Sequence, residues 1–112
     1  MKKIEAIVRP ERVSVVRKAL EETGYPGITI TDVRGHGAQK GVVQHYRGTE
    51  FTVDILPKVK LELVVDDTAV EKIIKVITEN ARTGQVGDGK IFVSTIDEVV
   101  RVRTGEAGPT AI

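Results

Sequence analysis

The sequence predicts an α+β fold built from two strand–helix–strand units, in the order β-α-β, long connection, β-α-β. Three observations predict it. Val and Ile number 29 of the 112 residues, against four Leu, and β-branched side chains fit pleated, half-buried surfaces. Two stretches nonetheless carry apolar residues at helical spacing. The chain also echoes itself: a shift of 57 positions pairs Lys3 with Lys60, Glu5 with Glu62, Val8 with Val65, Val13 with Val70 and Glu22 with Glu79.

The first strand is Lys3–Arg9, short, β-branched and partly alternating. Pro10 suits the first turn of a helix, because its φ is already fixed there. Val13, Val16 and Leu20 then recur on one helical face, and Thr23-Gly24 closes the helix with a left-handed cap. Ile28–Val33 reads as the second strand. From Gly35 to about Leu56 the pattern is irregular and glycine-dotted, yet carries Val42, Val43, Tyr46, Phe51, Val53, Ile55 and Leu56. A connection of this length is rare in a compact domain unless functional. It reads either as a loop that orders against a partner or as an extended hairpin covering the sheet. Val59, Leu61, Leu63 and Val65 alternate as a third strand. Asp66 or Asp67 can cap the helix whose stripe is Val70, Ile73, Ile74 and Ile77. The glycine loop Thr83–Gly89 leads into the strand Ile91–Val93; Val99–Arg103 reads as a last short strand and Thr104–Ile112 as a tail. This order predicts the ferredoxin-like split βαβ arrangement, with both helices on one face of a four-stranded sheet. The opposite face then needs cover, which a closed oligomer supplies.

Composition excludes several function classes. The chain is one domain by length. With 17 basic and 16 acidic residues the formal net charge is +1, which argues against a general nucleic-acid binder. The absence of cysteine rules out a disulfide framework and thiolate metal sites. No apolar run approaches the roughly 20 residues of a membrane span, and the start lacks the apolar stretch of a signal peptide. The expectation is a cytoplasmic protein.

Three constellations could carry chemistry. Gly87-Asp88-Gly89-Lys90 allows backbone amides to converge on an anion, with a lysine beside them; it reads equally as a tight turn with a solvated Lys90. Arg101 and Arg103, two apart on the expected strand, would share a face, and phosphate oxygens would relieve their repulsion; a charged edge strand is the other reading. Together they favour a polyphosphate ligand. His36 and His45 are the only imidazoles, and both read better as loop histidines than as catalytic groups; Asp66, Asp67 and Asp88 read as cap and turn residues. No Ser/His/Asp order or metal-ligand cluster is present, so no catalytic residue is assigned.

Thr83–Val93 closely resembles the C-terminal signature of PII nitrogen-regulatory proteins. Tyr46–Glu50 and Leu56–Lys60 resemble their T-loop segments, and Val100–Gly105 their C-terminal strand. The similarity runs without a gap from Met1 to about Gly105. It implies a homotrimer of ferredoxin-like subunits, with a T-loop at 37–55 between the second and third strands, a B-loop at 82–90 and a C-terminal loop at 102–112. It implies ATP or ADP in three clefts between neighbours, with Gly87, Asp88, Gly89, Lys90, Arg101 and Arg103 at the phosphates. Gly35, Gly37, Glu62, Val64 and Thr29 would surround sugar and base, Thr29 from across the interface. Gln39 would join a Mg²⁺ shared by ATP and 2-oxoglutarate; Lys40, Gly41, Lys58 and Gly87 would complete the 2-oxoglutarate site. Tyr46, Arg47, Thr49 and Phe51 would face a partner, an Amt-type ammonium transporter or enzymes and regulators of nitrogen metabolism. Two departures stand out. Phe51 replaces the tyrosine that many bacterial members uridylylate, so no phenolic oxygen is available there. Ala38 replaces an arginine near the phosphates, which affects affinity or ATP/ADP discrimination. Rival readings are a small nucleotide-phosphate-transferring enzyme and a trimer that no longer senses 2-oxoglutarate.

Overall fold

The fold is described from a computed structural model covering residues 1–37, 42–46, 49–53 and 55–112, with the backbone alone for 42–46 and 49–53. The strands are β1 (Lys2–Val8), β2 (Thr29–Gly35), β3 (Val42–Tyr46), β4 (Thr49–Val53), β5 (Leu56–Val65) and β6 (Lys90–Thr95); the helices are α1 (Val13–Glu22) and α2 (Val70–Ala81). Four strands form one antiparallel sheet in the order β2-β5-β1-β6. That order, with two helices, is consistent with the ferredoxin-like arrangement that the element order predicts.

Alternation decides which face is buried. Ile4, Ala6 and Val8 of β1 and Val59, Leu61, Leu63 and Val65 of β5 form one core with Val16 and Leu20 of α1 and Ile73, Ile77 and Ala81 of α2. The intervening residues Lys3, Glu5 and Ile7 of β1 and Lys58, Lys60, Glu62 and Val64 of β5 are only half-buried. They form the open face, to which the register adds Lys90 and Phe92 of β6 and Thr29 of β2. Lys3 pairs with Glu5 at 2.9 Å and Lys60 with Glu62 at 3.3 Å on this face. The sequence echo thus places two equivalent ion pairs side by side, with Glu5 opposite Glu62.

Both helices enter through a single 3₁₀ turn, Pro10–Arg12 and Asp67–Ala69. The exit of α1 is the predicted glycine cap. Gly24 at φ +101° donates to Glu21 O, and Tyr25 donates to Leu20 O, the paired hydrogen bonds of a Schellman motif. The expected aspartate cap of α2 is absent: Asp66 accepts the Thr68 hydroxyl, not a helix amide, and Asp67 pairs with the Met1 ammonium at 2.9 Å. At the far end of α2, Arg12 donates to Asn80 O through Nε and Nη2, so an end carbonyl finds its donor on another element.

One alternative is decided and two further expectations change. The long connection contains the β3–β4 hairpin, pairing Val42 with Val53 through Tyr46 with Thr49, the hairpin element of its second reading. β5 starts at Leu56, not Val59, so Lys58 is a strand residue. Val99–Arg103 is not a strand of the sheet. Val100 bridges Ala107, Arg101 N donates to Glu106 O, and Gly108 N donates to Val99 O. Gly105 at φ +71° and Gly108 at φ +85° let the chain turn back on itself, and the tail takes the hydrogen bonds that a sheet neighbour would have offered. Among the described residues no helix is long and apolar enough to cross a membrane.

Candidate functional site

The site is built where α2 returns to the sheet. After Ala81, Arg82 turns extended, and the loop bends through Gly84 at φ +88°, Gly87 at φ +103° and Gly89 at φ +100° before β6. Gly89 is the strictest position. A Cβ there would lie 1.6 Å from the carbonyl oxygen of Ile7, so β1 forbids any side chain.

Asp88 closes the loop on itself. Its carboxylate accepts the amides of Thr83 and Gly84, each at 2.8 Å, together with the Thr83 hydroxyl and Arg9 Nε at 2.9 Å. The Thr83 hydroxyl, and then Arg9 and the loop amides, hold the Asp88 carboxyl far below the usual carboxylate range, against the opposing effect of burial. An acid with a depressed folded pKa contributes fully above its unfolded pKa, and that contribution shrinks as pH falls from there and is gone below the folded one. A carbon-detected NMR titration is therefore expected to show Asp88 still ionised at about pH 3, below the ordinary aspartate value. A midpoint near that ordinary value would mean that the ring of hydrogen bonds does not form.

Two cations grip the next two carbonyls. Arg9 Nη2 donates to Val86 O at 2.8 Å, and Lys58 Nζ donates to Gly87 O at 2.7 Å. Burial, and after it the neighbouring Arg9, lowers the pKa of Lys58, while Glu11 and Asp88 act the other way.

Beside the loop lies a cleft of about 320 Å³ lined by Ile7, Gly35, His36, Gly37, Leu56, Lys58, Gly87, Gly89, Lys90 and Phe92. Its chemistry is mixed. Ile7, Leu56 and Phe92 give apolar walls; Lys58 and Lys90 give positive charge; the glycines allow close approach to backbone. Such a surface suits a ligand with an apolar or aromatic part and an anionic part.

The structure brings together in this cleft Gly35, Gly37, Lys58, Gly87, Gly89 and Lys90 from the expected set. Asp88 lies in the same loop, but its carboxylate faces Thr83, Gly84 and Arg9. Thr29 and Glu62 sit opposite each other on the open face, with Val64 two residues further along β5, and none of the three lines the cleft within one chain. Arg101 and Arg103 do not line it either. Arg101 pairs with Glu106 at 3.0 Å and donates to Thr110 O, and Arg103 is exposed in the turn that follows. Their shared strand face is therefore not formed. Ala38, Gln39, Lys40, Gly41 and Arg47 lie outside the described residues, as do the side chains of His45, Tyr46, Thr49 and Phe51. Among the described residues no group of His, Cys, Asp or Glu could hold a metal ion. Sequence reasoning missed Arg9 and Thr83; their roles depend on contacts across 79 and five positions, and only the ring of loop hydrogen bonds reveals them.

The sequence profile described as "Nitrogen regulatory protein P-II" matches residues 1–106. A "Nitrogen regulatory protein P-II" of Mesorhizobium japonicum is 56% identical over 112 residues, covering 100% of both chains. Its namesake in Azospirillum brasilense is 54% identical, again over the full length of both. "Nitrogen regulatory protein P-II 2" of Methanothermobacter thermautotrophicus is 51% identical over 100% of this chain and 97% of its own. These relatives are named as regulatory proteins, not enzymes. On the profile match and on identity above one half along its whole length, this chain belongs to the P-II nitrogen regulatory protein family.

Proposed function

We propose that the protein is a cytoplasmic homotrimeric sensor of nitrogen, carbon and energy status that binds ATP or ADP and, with Mg²⁺, 2-oxoglutarate. Through the arm at 37–55 it regulates targets, foremost an Amt-type ammonium transporter, with enzymes of nitrogen metabolism as further targets. One observation carries the reading: a loop shaped by positive-φ glycines shares a cleft with Lys58, Lys90 and the apolar side chains of Ile7 and Phe92.

The residues present fit an adenine nucleotide. The loop amides and Lys90 suit phosphate oxygens, and the apolar walls suit a base. Gly35 and Gly37 line the cleft without side chains, leaving room for a sugar. Thr29, Glu62 and Val64 lie on the open sheet face; Thr29 would reach the nucleotide from across the interface, and Glu62 and Val64 would lie beside its sugar and base. Arg101 and Arg103 would reach the phosphates in the trimer, Arg101 exchanging Glu106 for them. A bound divalent cation would neutralise the two anions that otherwise repel each other, with Gln39 beside it. Lys58 would meet the far carboxylate of 2-oxoglutarate, with Lys40, Gly41 and the Gly87 backbone around the acid. Tyr46, Arg47, Thr49 and Phe51 would present the arm to the partner. Ligands would shift the arm between conformations only by their differential affinity, and coupling of about 1–3 kcal/mol would change partner affinity roughly 5–150-fold.

Calorimetry with ATP and ADP, run beside sedimentation velocity, tests this. One nucleotide per chain on a particle of three chains is expected; a monomer without nucleotide heat would refute it. Arg101→Ala is expected to weaken nucleotide binding by about 1.5–3 kcal/mol, the worth of a charge-assisted contact, and an unchanged affinity would remove Arg101 from the site.

A further inference from the structure

We propose that Arg9, which does not line the cleft, is a positioning residue that shapes the loop 83–89 for an anion; the inference rests on the nucleotide reading above. The geometry is local. The peptide joining Val86 to Gly87 is trans, as are all described peptides. In a planar trans peptide the carbonyl and the N–H point in opposite directions. Arg9 Nη2 holds the Val86 carbonyl at 2.8 Å, and so fixes the direction of the Gly87 N–H. The next peptide is set in the same manner: Lys58 holds the Gly87 carbonyl at 2.7 Å and fixes the Asp88 N–H. Two successive carbonyl oxygens, which would repel a phosphate, are thereby turned onto cations. Their amides leave on the other side, as an anion nest requires.

The same guanidinium also sets the frame of the loop. Its Nε binds Asp88 Oδ1 at 2.9 Å, and the Asp88 carboxylate gathers the Thr83 and Gly84 amides. One rigid fork at the end of β1 thus joins the start and the end of the loop. An independent contact anchors the same place, since Gly89 packs directly under the Ile7 carbonyl two residues before Arg9. The Arg9 side chain is only 13% exposed, so water does not readily replace it.

The test compares Arg9→Ala, Arg9→Lys, Asp88→Asn and the Arg9→Ala/Asp88→Asn double variant of the full chain. Amide exchange is read without ligand, and ADP affinity by calorimetry. In Arg9→Ala, exchange at Thr83 and Gly84 is expected to rise about tenfold while Ile73 and Ile77 in α2 stay protected. ADP affinity is expected to fall about tenfold, one lost hydrogen-bonding partner's worth. Arg9→Lys should recover part of both, because an ammonium reaches Asp88 but has no second arm for Val86. If Arg9→Ala does not fold, Arg9→Lys carries the test with an expected loss of about threefold. The double variant should lose little more than the worse single one, since both act through one loop. ADP affinity within about twofold of wild type in a folded Arg9→Ala, or losses that multiply in the double variant, would overturn the proposal. Faster loop exchange in Arg9→Ala, with a wild type that binds no adenine nucleotide, would sink the nucleotide reading and still support the hold of Arg9 on the loop.

Discussion

Gly89→Ala is expected to be the most damaging single substitution at the site, lowering stability by about 3–5 kcal/mol and removing nucleotide binding. Two costs coincide. The backbone sits at φ +100°, where an L side chain is strained. The added methyl would also meet the Ile7 carbonyl oxygen at 1.6 Å, and neither side is a flexible side chain that could move away. Relief requires the loop to leave β1. That movement would pull Asp88 from Arg9 and Gly87 from Lys58. Urea unfolding followed by ADP titration of the surviving folded fraction measures both effects. Gly24→Ala is the useful comparison: it too has positive φ, +101°, but nothing stands within 4 Å of its added carbon. It should cost only the conformational part, about 1 kcal/mol. Equal losses at the two glycines would show that the Ile7 contact is not what restricts Gly89.

Lys58→Ala is expected to abolish the 2-oxoglutarate response, weakening that ligand by about 100-fold or more, while ADP affinity falls by only about tenfold, the worth of the lost hold on the Gly87 carbonyl. Lys58 is half-buried on β5 and lines the cleft, and its ammonium bonds to the Gly87 carbonyl. A carboxylate ligand would compete for that ammonium. A carboxylate beside this lysine, whose pKa burial and Arg9 depress, would favour its charged form. Binding of each ligand, measured separately by calorimetry, distinguishes the roles. Equal loss of ADP and 2-oxoglutarate would mean that Lys58 supports the loop as a whole and does not read the acid.

The parts of the fold legible in the sequence are those that one local period decides. Val59, Leu61, Leu63 and Val65 alternate because one face of β5 meets the helices, and all four are buried. Ile73 and Ile77 are wholly buried at a helical interval, and Val16 and Leu20 repeat this in α1. The failures are choices of partner, which no period encodes. Val99–Arg103 alternates like a strand, yet pairs with its own tail; Gly105 and Gly108 were the available signal for that reversal. The pairing of Val42–Tyr46 with Thr49–Val53 is legible only as one of two readings, because the glycines of the connection suit irregular chain as well as a hairpin. At the candidate cleft, which Gly87, Gly89 and Lys90 line, the sequence offers glycine freedom beside a lysine, which suits an anion and a tight turn equally. Lys58 became legible only through family resemblance. Asp66 and Asp67 show the limit of local rules: residues suited to cap a helix were drawn to Thr68 and the Met1 ammonium. Asp88, by contrast, follows its local reading as a turn residue, since its carboxylate accepts the Thr83 and Gly84 amides of its own loop.

The co-dependence of the two anionic ligands is the most direct test of the central claim. Titrating 2-oxoglutarate into the protein alone, with Mg²⁺ alone, and with Mg²⁺ and ATP should give strong binding in the last case only. With ADP in place of ATP the strong binding should be lost. Binding of 2-oxoglutarate that is equally tight without nucleotide, or absent under every condition while ATP still binds, would contradict a shared site at the 83–90 loop and Lys58.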